Sequence, residues 1–311
     1  MAIAGARGDV SNGRMRRLGQ LLVLVGTAMN AHAACPPAAW DEAALDRLRV
    51  AKFALPDNPA REALASALTD CLADPRPQLR DGIAFEALSA WMRAGALPAA
   101  QLDAMRRDLT GRLTADDPSG FARPFAALTL AEIARVDRLK PFLEPAARDE
   151  LLRAAVAYER GVRDYRGFDA MQGWRHGVAH GADLLLQLAL NPALDRPALD
   201  AIIAAAASQI APPGEHFYVY GESERLARPI FYVARRGLHD ESFWNAWFAT
   251  LASPAPLLKW DEAFKSQAGL ARKQNTQAFV QVLYVMVREG GDAALQQRLL
   301  PGLVEALKTL P

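Results

Sequence analysis

Apolar residues recur at three- and four-residue spacing along almost the whole chain beyond residue 38, with polar residues filling the positions between. That spacing marks helices that bury one face and wet the other. It predicts helices over 39–53, 58–74, 77–95, 98–113, 121–136, 144–162, 173–190, 195–210, 222–236, 241–252, 259–271, 275–289 and 292–310. Proline-centred breaks separate the early ones, at Leu55–Pro59, Asp74–Pro77, Leu97-Pro98 and Asp117-Pro118. No segment reads as a convincing strand. His216–Gly221 (HFYVYG) alternates only briefly and is expected to be a short extended loop.

Helices with one apolar face must stack on one another. The expected fold is therefore all-α, built of stacked antiparallel helix pairs as a HEAT-like α-solenoid or a closed α/α toroid. The pairs share little sequence, and no linker long enough to divide residues 34–311 is visible, so one helical-repeat domain is expected there. Composition agrees: 51% hydrophobic and 23% charged residues describe a globular chain, and an excess of Ala and Leu over β-branched residues favours helix.

The first 33 residues change the picture of where this fold operates. Met15–Ala33 (MRRLGQLLVLVGTAMNAHA) has a basic start, a short apolar middle and a small-x-small end, the pattern of a cleaved secretory signal peptide. Met15 is the expected start, Ala34 the expected mature N-terminus, and the periplasm or the exterior the expected location. His32 stands where a lipoprotein signal needs an aliphatic residue before Cys35, which argues against acylation. Cys35 and Cys71 are the two cysteines of the chain and both survive cleavage, so an oxidising compartment suggests a disulfide between them. Residues 1–33 hold four of the 36 Lys and Arg and one of the 35 Asp and Glu, leaving 32 against 34, a net charge of −2. That balance offers no footprint for nucleic acid. No other segment is long enough to cross a bilayer, so an integral membrane protein is not expected. The expected partner is a protein or small molecule of the cell envelope.

Candidate chemistry concentrates in GWRHGVAHGAD, Gly173–Asp183, which holds two of the five histidines. On a helix, with His176 at zero, His180 falls at about 40°, Asp183 at about −20° and Gln187 at about 20°. The four form one narrow polar stripe without Lys, Glu or Arg, unlike an ordinary solvent face. Gly173, Gly177 and Gly181 recur beside it, a costly pattern that implies close packing. Three readings are open. His176, His180 and Asp183 suit a zinc or iron ion. His180 oriented by Asp183 suits proton transfer. An internal hydrogen-bond network with both imidazoles satisfied needs neither. Asp164 and Arg166 before this block, and His216, Glu222 and Arg225 after it, are candidates for the rim of a site. Each has a plainer reading: Asp164 and Arg166 as a capped loop with an ion pair, Glu222 and Arg225 as an i,i+3 pair. Glu224 and Arg228 read as a surface i,i+4 pair. Trp244 and Trp247 read as core, and His239 as exposed or capping. No nucleophile elbow, phosphate loop or dinucleotide fingerprint is present.

In LRDGIAFEALSAWM (Leu79–Met92), FARPFAALTLAEI (Phe121–Ile133), DYRGFDAMQGWRHGVAHGADLLLQL (Asp164–Leu188) and GESERLAR (Gly221–Arg228) the chain resembles an uncharacterised bacterial family, domain of unknown function 2785. The family form is nearer DLRGY, KGWAHAVAHGAD and EDERLA. Asp164, Arg166, Gly167, Gly173, Trp174, His176, His180, Asp183, Glu222 and Arg225 fall on it, while Tyr165, Gln172, Arg175 and Ser223 depart from it. The resemblance implies a helical-repeat fold and brings no activity. Function is thus expected to be either ligand or partner binding through the His176, His180 and Asp183 pocket, or hydrolysis. As a metal-assisted hydrolase or an envelope-glycan enzyme, the chain would use His180 or a metal-bound water as base and Glu222 as acid.

Overall fold

The structure, a computed structural model, describes residues 35–311. The expected signal peptide, its Met15 start and its cleavage site lie outside the described residues. Chain order begins with α1 (Glu42–Val50), α2 (Asn58–Cys71), α3 (Pro77–Leu79) and α4 (Glu86–Arg93), then α5 (Ala99–Arg112), α6 (Ala122–Leu139) and α7 (Pro145–Gly161). A two-stranded hairpin follows, β1 (Phe168–Asp169) and β2 (Gly173–Trp174). After it come α8 (Gly177–Ala189), α9 (Arg196–Ile210), α10 (Glu222–Arg235), α11 (Glu241–Leu251), α12 (Gln267–Glu289) and α13 (Ala293–Thr309).

The helix starts follow from local chemistry. Asp41, Asp57, Asp195, Asp240 and Asp292 each accept a hydrogen bond from a first-turn amide, and Pro59 and Pro197 stand where a missing N–H costs nothing. Between α3 and α4 the backbone winds wider, as a π-helical stretch over Arg80–Phe85, so the helix predicted at 77–95 is continuous but not uniform. The two helices predicted over 259–271 and 275–289 are in fact a 3₁₀ turn (Trp260–Lys265) and one long α12, capped by Ser266 onto Gly269 N at 3.0 Å. Arg272 to Gln274 contain no breaker, and the helix runs through them.

The fold is all-helical, with helix packed on helix. One row runs α4, α6, α8, α10, α12 and a second runs α2, α5, α7, α9; α5 on α6, α7 on α8 and α9 on α10 join the rows. α8 lies between α6 and α10, and its Ala179, Ala182, Leu184, Leu185 and Leu188 are buried. A helix apolar on nearly all sides belongs in such a middle position. Cys35 and Cys71 are disulfide-bonded, with Cα atoms 5.2 Å apart, tying the start of the described chain to the end of α2. No described helix is long and apolar enough to cross a membrane. Trp244 is wholly buried, as its spacing predicted. His239 is not exposed: it is buried, with Nε2 2.6 Å from Asp200 Oδ1.

Candidate functional site

The block Gly173–Asp183 does not form one helix. Arg175 N donates to Gly167 O at 2.9 Å and His176 N to Arg166 O at 3.2 Å, extending the β1–β2 pairing in which Phe168 faces Trp174. The chain then turns at His176, which takes the left-handed conformation (φ 58°, ψ 40°) as the N-cap of α8. Few non-glycine residues sit there, so the turn is held by its surroundings. The His176 ring stacks on Trp174 with centroids 4.7 Å apart, and its Nε2 donates to Tyr220 O at 3.1 Å. That bond places the proton on Nε2 and leaves Nδ1 with the lone pair.

His176 therefore leaves the predicted helical stripe, although its ring still lies 5.8 Å from that of His180. His180 is buried edge-on to Phe125, with Nδ1 lacking any partner. Asp183 is engaged by Arg225 of α10 through a two-pronged ion pair, with Nε 2.7 Å from Oδ1. The expected Glu222–Arg225 pair is thus replaced by a bond between helices. Glu222 instead accepts Tyr220 N at 2.9 Å. Gln187 accepts from Arg138 of α6 at 2.9 Å. Asp164 and Arg166 do pair, and so do Glu224 and Arg228. His216 is apart from these, stacked on Tyr165 at 5.1 Å.

Burial, and then the Arg225 charge, push His176 down to about 4, against a weaker opposite pull from the Tyr220 carbonyl. Burial, followed by His176 and Arg225, pushes His180 well below the usual histidine range. Both rings are neutral at ordinary pH. Burial also lowers Arg225 to about 10, still charged beside Asp183. This geometry does not support the metal expectation. Asp183 is spent on a guanidinium and His176 Nε2 on a carbonyl, and among the described residues no group of three or more His, Cys, Asp or Glu is arranged to hold an ion.

The glycine row also acts differently from expectation. At Gly181 what approaches α8 is not another backbone but side chains of α7, while Gly177 also faces the Asp164 carbonyl. A Cβ on Gly181 would lie 1.9 Å from Glu159 Oε2 and 2.9 Å from Tyr158 Cε1. Glu159 is wholly buried with neither carboxylate oxygen hydrogen-bonded, and burial pushes its carboxyl far up.

Open space lies on the other side of the hairpin. A cleft of about 430 Å³ is lined by the 165–169 segment, Arg175, His216 and Tyr220. Phe168 and Tyr220 line it, 50% and 37% exposed, and Trp174, 38% exposed, touches both. Gly167 carries the Tyr220 ring, since a Cβ there would lie 2.0 Å from it. Arg80, wholly buried, anchors the hairpin by donating to Gln172 O at 2.7 Å.

Residues 109–285, which contain the hairpin, α8 and the 216–221 loop, match the family model described as Protein of unknown function (DUF2785). The chain belongs to the DUF2785 family. No curated protein and no solved structure matches it. In this DUF2785 protein, Arg166 and His216 are the predicted site residues that line the cleft, while His176, His180, Asp183, Glu222 and Arg225 form the wall behind it. Asp164 lines a separate cavity of about 60 Å³ between α6 and the end of α7. The helical reading of 173–190 concealed Trp174 and Arg175, while Phe168 and Tyr220 lie in the loops on either side of it. For the three aromatics the sequence signal is the placing of large rings in glycine-punctuated segments; Arg175 has none.

Proposed function

We propose that this protein is an exported binding protein whose ligand surface is the cleft between the β1–β2 hairpin and the 216–221 loop. The observation that carries the reading is the exposed pair Phe168 and Tyr220 lining that cleft, with the half-exposed Trp174 ring packed against both. Large aromatics left half in water on a supported backbone are contact surface rather than core. A saccharide of the cell envelope fits this chemistry. Its ring C–H face packs on an aromatic ring, and its hydroxyls reach Arg166 and Asp169 at the edge. The histidine–aspartate block supports the surface from behind, with His176 holding the Tyr220 carbonyl and Glu222 its amide. The Cys35–Cys71 bond is in keeping with an oxidising compartment. Hydrolysis by His180 and Glu222 has less support, because both are buried and Glu222 is held by a backbone amide.

Calorimetric titration with oligosaccharide fragments of envelope glycans tests the proposal. Tyr220→Ala and Phe168→Ala should each weaken binding roughly threefold to tenfold without lowering the melting temperature. Binding that is indifferent to both substitutions would remove the cleft from consideration.

A further inference from the structure

Four arginines among the described residues are buried: Arg80, Arg106, Arg148 and Arg175. Three have a carboxylate against the guanidinium: Asp81 at 2.7 Å from Arg80, Asp103 and Glu150 at 2.8 and 2.7 Å from Arg106, and Asp137 at 2.7 Å from Arg148. Arg175 has no carboxylate within ion-pair distance among the described residues, although it is only 7% exposed. Its Nε donates to Ser119 O at 2.9 Å and its Nη2 to Gln172 Oε1 at 2.6 Å. Its plane covers one ring, Phe121, at 4.2 Å, and Arg80 lies 4.0 Å from the same centroid. Two of the five N–H groups of a guanidinium are thereby used.

The nearest acids, Asp164 and Asp169, favour the Arg175 cation only from a distance, since neither reaches the guanidinium. Asp164 is committed to Arg166, and Asp169 accepts the amides of Met171 and Gln172. Burial, and next the Arg166 charge, disfavour the Arg175 cation. A buried charge without a partner is among the costliest arrangements a fold can hold. Here it is fixed by two hydrogen bonds and an aromatic face, and it lines the cleft.

We infer that the ligand of this cleft carries an oxyanion, a carboxylate or phosphate borne on a ring, that completes the ion pair of Arg175. The inference rests on reading the cleft as the binding surface. The ring would meet Tyr220 and Phe168 while the anion reaches the unused guanidinium N–H groups.

The test is a titration of the purified protein followed by NMR at the arginine side-chain N–H groups and at the aromatic rings. Glucuronate, glucose 6-phosphate and neutral glucose are the probes, with the paired Arg80 and Arg148 as internal references. At least one anionic sugar should shift the Arg175 Nε–H signal saturably. Glucose should bind roughly tenfold more weakly, the worth of one charge-assisted hydrogen bond. Arg175→Met, which keeps the apolar stem, should erase the preference between charged and neutral sugar. The wild-type titration stands alone if that variant fails to fold. An unmoved Arg175 signal with both anions overturns the inference, whatever glucose does. Whether carboxylate or phosphate moves it separates the two sources of the anion. If glucose perturbs Trp174 and Tyr220 while Arg175 stays still with all three probes, only the anion inference falls. If no probe perturbs those rings, the cleft reading falls with it.

Discussion

At the scale of single residues, three buried titratable groups work against one another. His176 and His180 are neutral in the folded chain, whereas an unfolded histidine takes up a proton below about pH 6.5. They therefore withdraw stability as pH falls from about 6.5 towards about 4. Glu159 has the opposite sign. Its carboxyl is protonated in the fold and ionised in the unfolded chain, so stability is lost as pH rises above the ordinary carboxylate range. Urea unfolding across about pH 4 to about pH 8 should separate them. Glu159→Gln should gain on the wild type progressively as pH rises, and His180→Leu should flatten the acid side. Profiles parallel to wild type for both variants would mean that neither group titrates differently on folding.

At the scale of elements, the critical contact is α7 against α8. Helix propensity alone makes Gly181→Ala favourable by about 1 kcal/mol. The structure reverses that sign, because the new methyl meets Glu159 Oε2, and Glu159 is sealed with nowhere to move. Overpacking of this kind costs roughly 1–3 kcal/mol. Gly181→Ala should thus lower the unfolding midpoint, and adding Glu159→Ala should restore much of the loss. The double-mutant cycle checks this, and independent, additive effects would show that α7 and α8 do not meet there. The hairpin shows the same dependence on neighbours. Gly173, at φ +73°, and the left-handed His176 interrupt the helix predicted over 173–190 at its start, and strand pairing replaces its first turn.

At the scale of the whole molecule, the disulfide joins positions 36 residues apart and anchors the start of the described chain. On the chain-entropy model such a loop stabilises by about 4 kcal/mol. Cys71→Ser, or reduction of the wild type, should lower the unfolding free energy by that order in denaturant titrations. Equal stability of the oxidised and reduced protein would show that the link constrains little.

Much of this protein was legible in its amino-acid order. Periodicity placed the helices and therefore the all-α fold, since each apolar stripe demands a neighbour. The cysteine pairing also followed, because the chain holds two cysteines, as did the Asp164–Arg166 and Glu224–Arg228 pairs, whose partners are close in the chain. Only the tertiary structure decided the site. Asp183 faces Arg225 rather than a metal, and Glu222 turns to Tyr220 N rather than to Arg225. Arg175 lies buried on Phe121 with no carboxylate within ion-pair distance among the described residues, and Trp174 is left 38% exposed on the hairpin. Local spacing determines which face a residue occupies. What stands opposite that face, and whether solvent reaches it, is set by elements tens of residues away.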